Sequence, residues 1–222
     1  MDKDFINSLI LAALFAALFT LAELAYHLLK VKVELTRKFV HVGTGLLTFL
    51  FPNMIDNQWF VFYLCAIFAI VLMLSLKFNL LKSINAIERD SVGSIAYPIS
   101  VYGCYLAYDF CDHNIIYFYL PILILAICDP IAALSGKKWP LGKFKVGNDY
   151  KTVVGSMMFF LSASVITSCF LMDYDSAGKI FFIALSIAFI STISEAFSKR
   201  GYDNFFIPLS VLVSLFIIER FF

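Results

Sequence analysis

The chain has 222 residues, 61% of them hydrophobic and 17% aromatic, with a mean hydropathy of +0.87 and a formal net charge of only +1. Soluble domains hold about 45–50% apolar residues, so this composition excludes a soluble globular class and describes a chain lying mostly in lipid. The near-neutral charge, without a basic tail or an aromatic-interleaved basic stripe, excludes the footprint of a nucleic-acid binder and leaves small molecules and membrane lipids as partners. Cys65, Cys104, Cys111, Cys128 and Cys169 lack metal-ligand spacing, and no disulfide framework is expected.

In chain order, the apolar runs predict eight transmembrane helices over residues 5–29, 39–51, 59–76, 94–108, 115–134, 152–172, 180–197 and 205–218. Helices satisfy their own backbone in lipid, so the expectation is an all-α polytopic bundle. No repeat or linker divides it, and residues 1–222 read as one domain. The first run lacks a basic segment and a small-residue cleavage site, so it is expected to stay as a span. The second and fourth runs are too short to cross a ~30 Å hydrocarbon layer unaided at ~1.5 Å per residue, which keeps a partly re-entrant path and a six-span count open. With eight spans the loops alternate in charge. One set carries 14 of the 17 basic residues, while the opposite face, with both termini, keeps Lys3, Lys179 and Arg220. Cytoplasmic loops are the basic ones, so both termini are expected on the non-cytoplasmic side of a multi-pass protein. The membrane would be the cell inner membrane of a prokaryote, or the endoplasmic reticulum or plastid membrane of a eukaryote.

The loops that carry the positive charge also carry the unusual polar residues. Glu23 and His27 stand one turn apart on the first span, spaced to pair with each other. In RKFVH, Arg37, Lys38 and His41 can line one helical face, for anchoring or for holding an anion. In ERDSVGSIAYPI, Glu88, Arg89 and Asp90 precede a short helix containing Gly93, Tyr97 and Pro98, which would also suit a salt-bridged turn.

The segment from 128 to 156 is the richest. Pro121 and Pro130 flank the stretch before Asp129 and should free backbone groups near it. Ala132, Ala133 and Gly136 follow Asp129 at helical spacing, so another backbone or a flat ligand can approach closely. Gly136, Lys137, Gly142 and Gly147 then lead to Lys151 and Thr152 at the start of the sixth span, with Gly155 just inside it, where a helix N-terminus favours phosphate. The spacing is not that of a Walker P-loop. Simple return of the chain is the ordinary alternative for such a loop. Last, SEAFSKRGYDNFFIPL supplies Glu195, Asp203 and Asn204. With Asp129 they offer hard oxygen ligands of the kind magnesium takes beside nucleotide phosphates. Asp203 and Asn204 equally suit a helix cap.

These four elements, in this order, resemble the CTP-dependent lipid-alcohol kinases: dolichol, phytol and farnesol kinases and the yeast-type diacylglycerol kinase. The matching pieces are RKFVH with Gly43 or Gly45 after it, ERDSVGSIAYP, the Asp129 to Ser156 loop ending KTVVGS, and EAFSKRGYDNFFIPL, which together span most of the chain. The resemblance implies transfer of the CTP γ-phosphate to the hydroxyl of an isoprenoid alcohol or diacylglycerol at the cytoplasmic face, with Mg²⁺ or Mn²⁺. It implies that Asp129, Gly136, Lys151, Thr152 and Gly155 belong to the nucleotide-phosphate loop, that Arg37, Lys38 and His41 form the N-terminal basic motif, and that Glu195, Asp203 and Asn204 form an acidic motif. On this reading Lys151 and loop amides, with Lys137, Gly142 and Arg89 nearby, hold the nucleotide. Asp129, Glu195, Asp203 and Asn204 are the metal candidates, and Asp129, Asp203 or His41 is the general base. Two positions depart from the family pattern: Cys128 stands where a glycine is usual before Asp129, and Val154 where a glutamate is frequent. Two other activities fit parts of the pattern. A phosphatidate cytidylyltransferase would release pyrophosphate. An ion-coupled transporter would spread Asp129, Glu195 and Glu23 through the bilayer depth rather than gather them on one face.

Overall fold

The computed structural model describes residues 2–86, 92–147, 149–173 and 176–221. Arg89, with Glu88 and Asp90, therefore lies outside the described residues. Eight helical segments follow one another among the described residues. They are α1 (Lys3–His27), α2 (Val33–Thr48), α4 (Gln58–Lys77), α6 (Gly93–Phe110), a composite of α7 (Ile116–Leu123), a π-helical turn (Ile124–Cys128) and α8 (Asp129–Lys138), then α9 (Val153–Leu171), α10 (Ala177–Phe197) and α11 (Asp203–Phe221). Short helices α3 (Phe51–Met54) and α5 (Lys82–Asn85) sit in two connections. Five passes are long and apolar enough to cross a membrane: α1, α4, the α7–α8 composite, α9 and α10. The passes α2, α6 and α11 are not among them.

Two features depart from the sequence-based expectation. The bundle is not purely α-helical, because β1 (Lys143–Val146) and β2 (Asp149–Thr152) form an antiparallel hairpin with Lys143 opposite Thr152 and Val146 opposite Asp149. Helix α2 also begins six residues before the apolar run at 39, since hydropathy marks where lipid starts and a helix can begin among Glu34, Arg37 and Lys38 in the polar layer.

The two ends of the bundle are built differently. At the far end, buried Asp4 accepts the amides of Asp56 and Asn57 (3.2 and 2.8 Å) and so fixes the start of α4 against α1. Lys3 pairs with Asp56 at 3.2 Å, and Tyr117 donates to Glu219. Between the ends, the half of the bundle nearer these contacts is solidly packed. Leu11, Phe51, Ile55, Val61, Tyr105 and Phe118 are all sealed from solvent, and the Tyr105 hydroxyl is satisfied by the Ile55 carbonyl at 2.6 Å. The basic end is looser and polar. Glu23 on α1 accepts the Ser83 amide at 2.8 Å and pairs with His27 at 3.1 Å, while Thr36 on α2 donates to the Ser83 carbonyl at 2.5 Å. These bonds pin α5 across the gap between α1 and α2.

The middle of the composite helix is dictated by proline. Pro130 has no N–H to donate back along the helix, and the turn before it widens to π geometry over Ile124–Cys128. The Leu125 carbonyl, released from a helical partner, is taken up by His41 Nε2 at 3.0 Å. Gly45 allows α2 to lie directly on this turn, because a Cβ there would stand 2.4 Å from the Ala126 methyl.

Candidate active site

The release of the Leu125 carbonyl brings α2 and the composite helix together at Asp129. Lys38 Nζ donates to Asp129 Oδ2 at 2.7 Å, and His41 Nε2 lies 3.8 Å from the same oxygen. A carbonyl can only accept, so the Nε2 of His41 carries the proton in its bond to Leu125, and in the neutral ring Nδ1 holds the lone pair. Tyr97 packs edge-to-face on the imidazole with ring centres 5.2 Å apart. Of the basic motif, Lys38 and His41 thus turn to the buried carboxylate, and Arg37 takes a separate position on the cavity wall.

A second ion-pair centre lies beside the first. Lys151, the last-but-one residue of β2, extends to Glu195 near the end of α10. Its ammonium donates to Oε1 at 2.5 Å and also to the Glu195 carbonyl, with Asp203 Oδ2 4.0 Å away. Ser156 adds a hydroxyl to Glu195 Oε2 at 3.3 Å. Lys151 and Glu195 are both largely buried. Asp203 opens α11, and its Oδ1 accepts the amide of the next residue, Asn204, at 3.0 Å. The Asn204 side chain reaches the Gly93 carbonyl at 2.9 Å and ties α11 to the start of α6. Asp129, Glu195 and Asp203 are thereby assembled near two lysines, three acidic groups against two ammonium groups. This donor set suits a hard cation. Among the described residues no three histidine, cysteine or acidic side chains form a metal cage of their own, and magnesium commonly takes only one or two carboxylates beside phosphate and water.

The glycines of the 128–156 segment admit a backbone, one of the two neighbours that their spacing allowed. A Cβ on Gly136 would lie 2.4 Å from Thr152 Oγ1, and one on Gly155 would lie 3.0 Å from the Ala132 carbonyl. Both are contact points of α8 on α9, so the small-residue face after Asp129 receives a backbone and not a flat ligand. The Thr152 hydroxyl caps α9 by accepting the Gly155 amide at 3.0 Å. Gly142, at φ +64°, turns the chain into β1, and its carbonyl accepts the Val153 amide at 3.1 Å. Thr152, Gly136 and Gly155 are therefore engaged with one another. Lys137 is exposed and borders a surface basin that Lys151 does not line.

Two concavities meet here. A cavity of about 500 Å³ begins at Arg37, Lys38, His41, Asp129, Asp203 and Asn204 and continues inward between α1, α2, α4 and α6, where Phe15, Phe19, Phe51, Leu64, Phe68 and Val101 line it. A wider, shallow basin of about 980 Å³ lies on the surface next to it, bounded by His27, Lys30, Lys32, Lys82 and Lys137, with Glu34. Arg37 borders both. Tyr97, Thr44 and Asn85 also face the cavity and were not singled out as site residues from sequence. Tyr97 lay inside a recognised motif. Thr44 and Asn85 gave no signal, because a threonine in a span and an asparagine in a turn are common.

No family model and no solved structure matches the chain. It is 29% identical to a phytol kinase of Synechocystis sp. over 85% of its own length and 81% of that protein. It is also 32% identical to an uncharacterized protein of Methanocaldococcus jannaschii, over 60% of this chain and 62% of the other. The first similarity bears out the resemblance to the lipid-alcohol kinases carried by the four motifs.

Proposed function

We propose that the protein is a kinase of membrane lipid alcohols that uses a nucleoside triphosphate, CTP by family resemblance, and works at the cytoplasmic face of the membrane with both chain termini on the opposite side. The observation that carries this reading is the two-natured cavity. One end presents a buried carboxylate with a lysine and a histidine, and the body is aromatic and aliphatic. An amphiphile with a single terminal hydroxyl matches that division, with its chain in the apolar part and its oxygen at Asp129. The similarity to a phytol kinase supports the same acceptor class.

Phosphoryl transfer needs alignment and charge neutralisation more than covalent chemistry. The acceptor oxygen attacks the γ-phosphorus, the bond from that phosphorus to the bridging oxygen breaks, and the nucleoside diphosphate leaves. Asp129 is the base of this reading and takes the hydroxyl proton. The Nε2 of His41 is committed to the Leu125 carbonyl, so His41 holds the π turn and with it the carboxylate. Lys38 balances Asp129 before transfer and stands beside the phosphoryl group during it. The polyphosphate tail approaches from the basic basin, where Lys30, Lys32, Lys82 and Lys137 converge, and Arg37 bridges basin and cavity. Magnesium or manganese would be held by Asp129 with Glu195, Asp203 or Asn204, and would supply neutralisation of the phosphate oxygens. Lys151 holds Glu195 in place behind Asp129.

The test is direct. Purified protein is incubated with CTP or ATP, a divalent cation and farnesol, geranylgeraniol, phytol, undecaprenol or diacylglycerol. The expected product is the lipid monophosphate with release of the nucleoside diphosphate. Absence of any lipid phosphate with every donor would sink the reading, and release of pyrophosphate would assign a cytidylyltransferase instead.

A further inference from the structure

The acceptor cavity ends inside the molecule. Its α4 wall runs from Leu76 at the polar end to Leu64, twelve residues further in, or about 18 Å at ~1.5 Å per residue. There the walls converge on Phe15, Phe51, Leu64 and Val101, all buried. Beyond them lies the packed half of the bundle. Phe51 stacks on Phe118 with centroids 6.3 Å apart, Phe118 meets Tyr105 edge-to-face at 5.9 Å, and Tyr105 is bonded to the Ile55 carbonyl. The seam between α1 and α4 is closed along the cavity by rings as well. Phe15 contacts Phe68 edge-to-face at 4.7 Å, and Phe19 stacks on Phe68 at 6.3 Å. A chain that enters with its hydroxyl at Asp129 meets a floor below and aromatic rings at that side.

Carbon–carbon bonds of about 1.5 Å advance an extended chain by about 1.25 Å per carbon. A depth of about 18 Å then takes roughly 14 main-chain carbons, between the 12 of a C15 isoprenol and the 16 of a C20 one. The 44 main-chain carbons of a C55 polyprenol would need about 55 Å by the same reckoning. A volume of about 500 Å³ also lies in the range of sites that hold one small ligand.

Resting on the kinase reading, we propose that Phe15, Phe51, Leu64 and Val101 act as a chain-length stop, which makes the protein selective for single-chain isoprenoid alcohols of about 15 to 20 carbons over long polyprenols. The selectivity comes from apolar packing at the closed end, so changes at the floor shift the preferred length without touching the polar groups that carry the phosphoryl transfer.

The experiment measures kcat/KM for geraniol, farnesol, geranylgeraniol and undecaprenol in one mixed-micelle system, for the wild type, Val101→Phe and Phe51→Ala. The wild type is expected to prefer farnesol and geranylgeraniol over undecaprenol by at least tenfold. Val101→Phe raises the floor and should lower activity on geranylgeraniol about tenfold while geraniol turnover stays within twofold. Phe51→Ala should move the preference toward the longer alcohol, and Val101→Phe keeps the test decisive if Phe51→Ala does not fold. Equal use of C15 and C55 alcohols by the wild type overturns the stop while leaving the kinase reading intact. So does a Val101→Phe enzyme slowed equally on all four. A wild type that phosphorylates none of them overturns the stop, and one that also leaves phytol and diacylglycerol unphosphorylated overturns the kinase reading as well.

Discussion

Replacing Lys151 by methionine tests how the second ion-pair centre is held together. The lysine side chain is 16% exposed and that of Glu195 7%, and the ammonium serves Glu195 Oε1, the Glu195 carbonyl and, at 4.0 Å, Asp203. Methionine keeps most of the apolar stem and removes the charge. Glu195 would then be stranded, with the Ser156 hydroxyl near its carboxylate and Asp129 and Asp203 as like-charged neighbours among the described residues. Breaking one side of a buried pair costs about 3–5 kcal/mol, because the remaining charge has lost water without compensation. A second change, Glu195→Gln, removes the stranded charge. In the wild type it is expected to destabilise by about 1–3 kcal/mol through loss of a charged hydrogen bond, whereas in the Lys151→Met background it should restore about 2 kcal/mol. Equilibrium unfolding of the four proteins in the same mixed micelles gives the coupling energy directly. If Glu195→Gln destabilises both backgrounds equally, the two side chains are not coupled and the account of Lys151 as the support of Glu195 is refuted.

Asp129→Asn should lower lipid phosphate formation by about 10²–10⁴-fold, the usual contribution of a positioned base, with thermal stability in detergent reported alongside to show that the fold persists. Gly45→Val forces side-chain atoms into the Ala126 methyl, where even a Cβ stands at 2.4 Å. It is expected to cost about 1–3 kcal/mol or more as overpacking, seen as a lowered unfolding midpoint. Charge reversal in the basin, Lys30→Glu with Lys82→Glu, should raise the KM for the nucleotide about tenfold with kcat little changed. That difference should shrink as salt is added, because both lysines are exposed. An unchanged nucleotide KM at low salt would remove the basin from the donor's path.

Much of the site was legible because polar residues in a hydrophobic chain stand out. Asp129, Glu195 and Lys151 are conspicuous for the cost of placing charge in or near lipid, and the pairing of Glu23 with His27 followed from helical spacing alone. The partnership of Lys38 with Asp129 was not legible. It joins residues 91 positions apart, and nothing local distinguishes Lys38 from Arg37, which takes a separate position on the same cavity wall. The hairpin was missed because each strand has only four residues and charged side chains alternate with apolar ones on a surface loop, where periodicity is weakest. Gly136 and Gly155 illustrate a different limit. A small residue reports that something comes close, and only the three-dimensional arrangement shows whether that neighbour is a phosphate or a second helix. The prolines around Asp129 did foretell free backbone groups, though not that a histidine from α2 would collect one.

The π turn over Ile124–Cys128 also carries a lesson for alignment and for genetics. A five-residue wide turn is one residue longer than the α-helical turn it replaces, so deleting a single residue there would let the helix close into regular α geometry. Each residue of an α-helix turns it by about 100° and advances it ~1.5 Å. Such a deletion would remove the extra residue of the wide turn and leave Asp129 close to its present phase, whereas a deletion within regular α-helix swings the residues beyond it by about a quarter turn. A scan of in-frame single-codon deletions along residues 116–138 should therefore find Ile124–Cys128 more tolerant than the regular helix of Asp129–Lys138 beyond it.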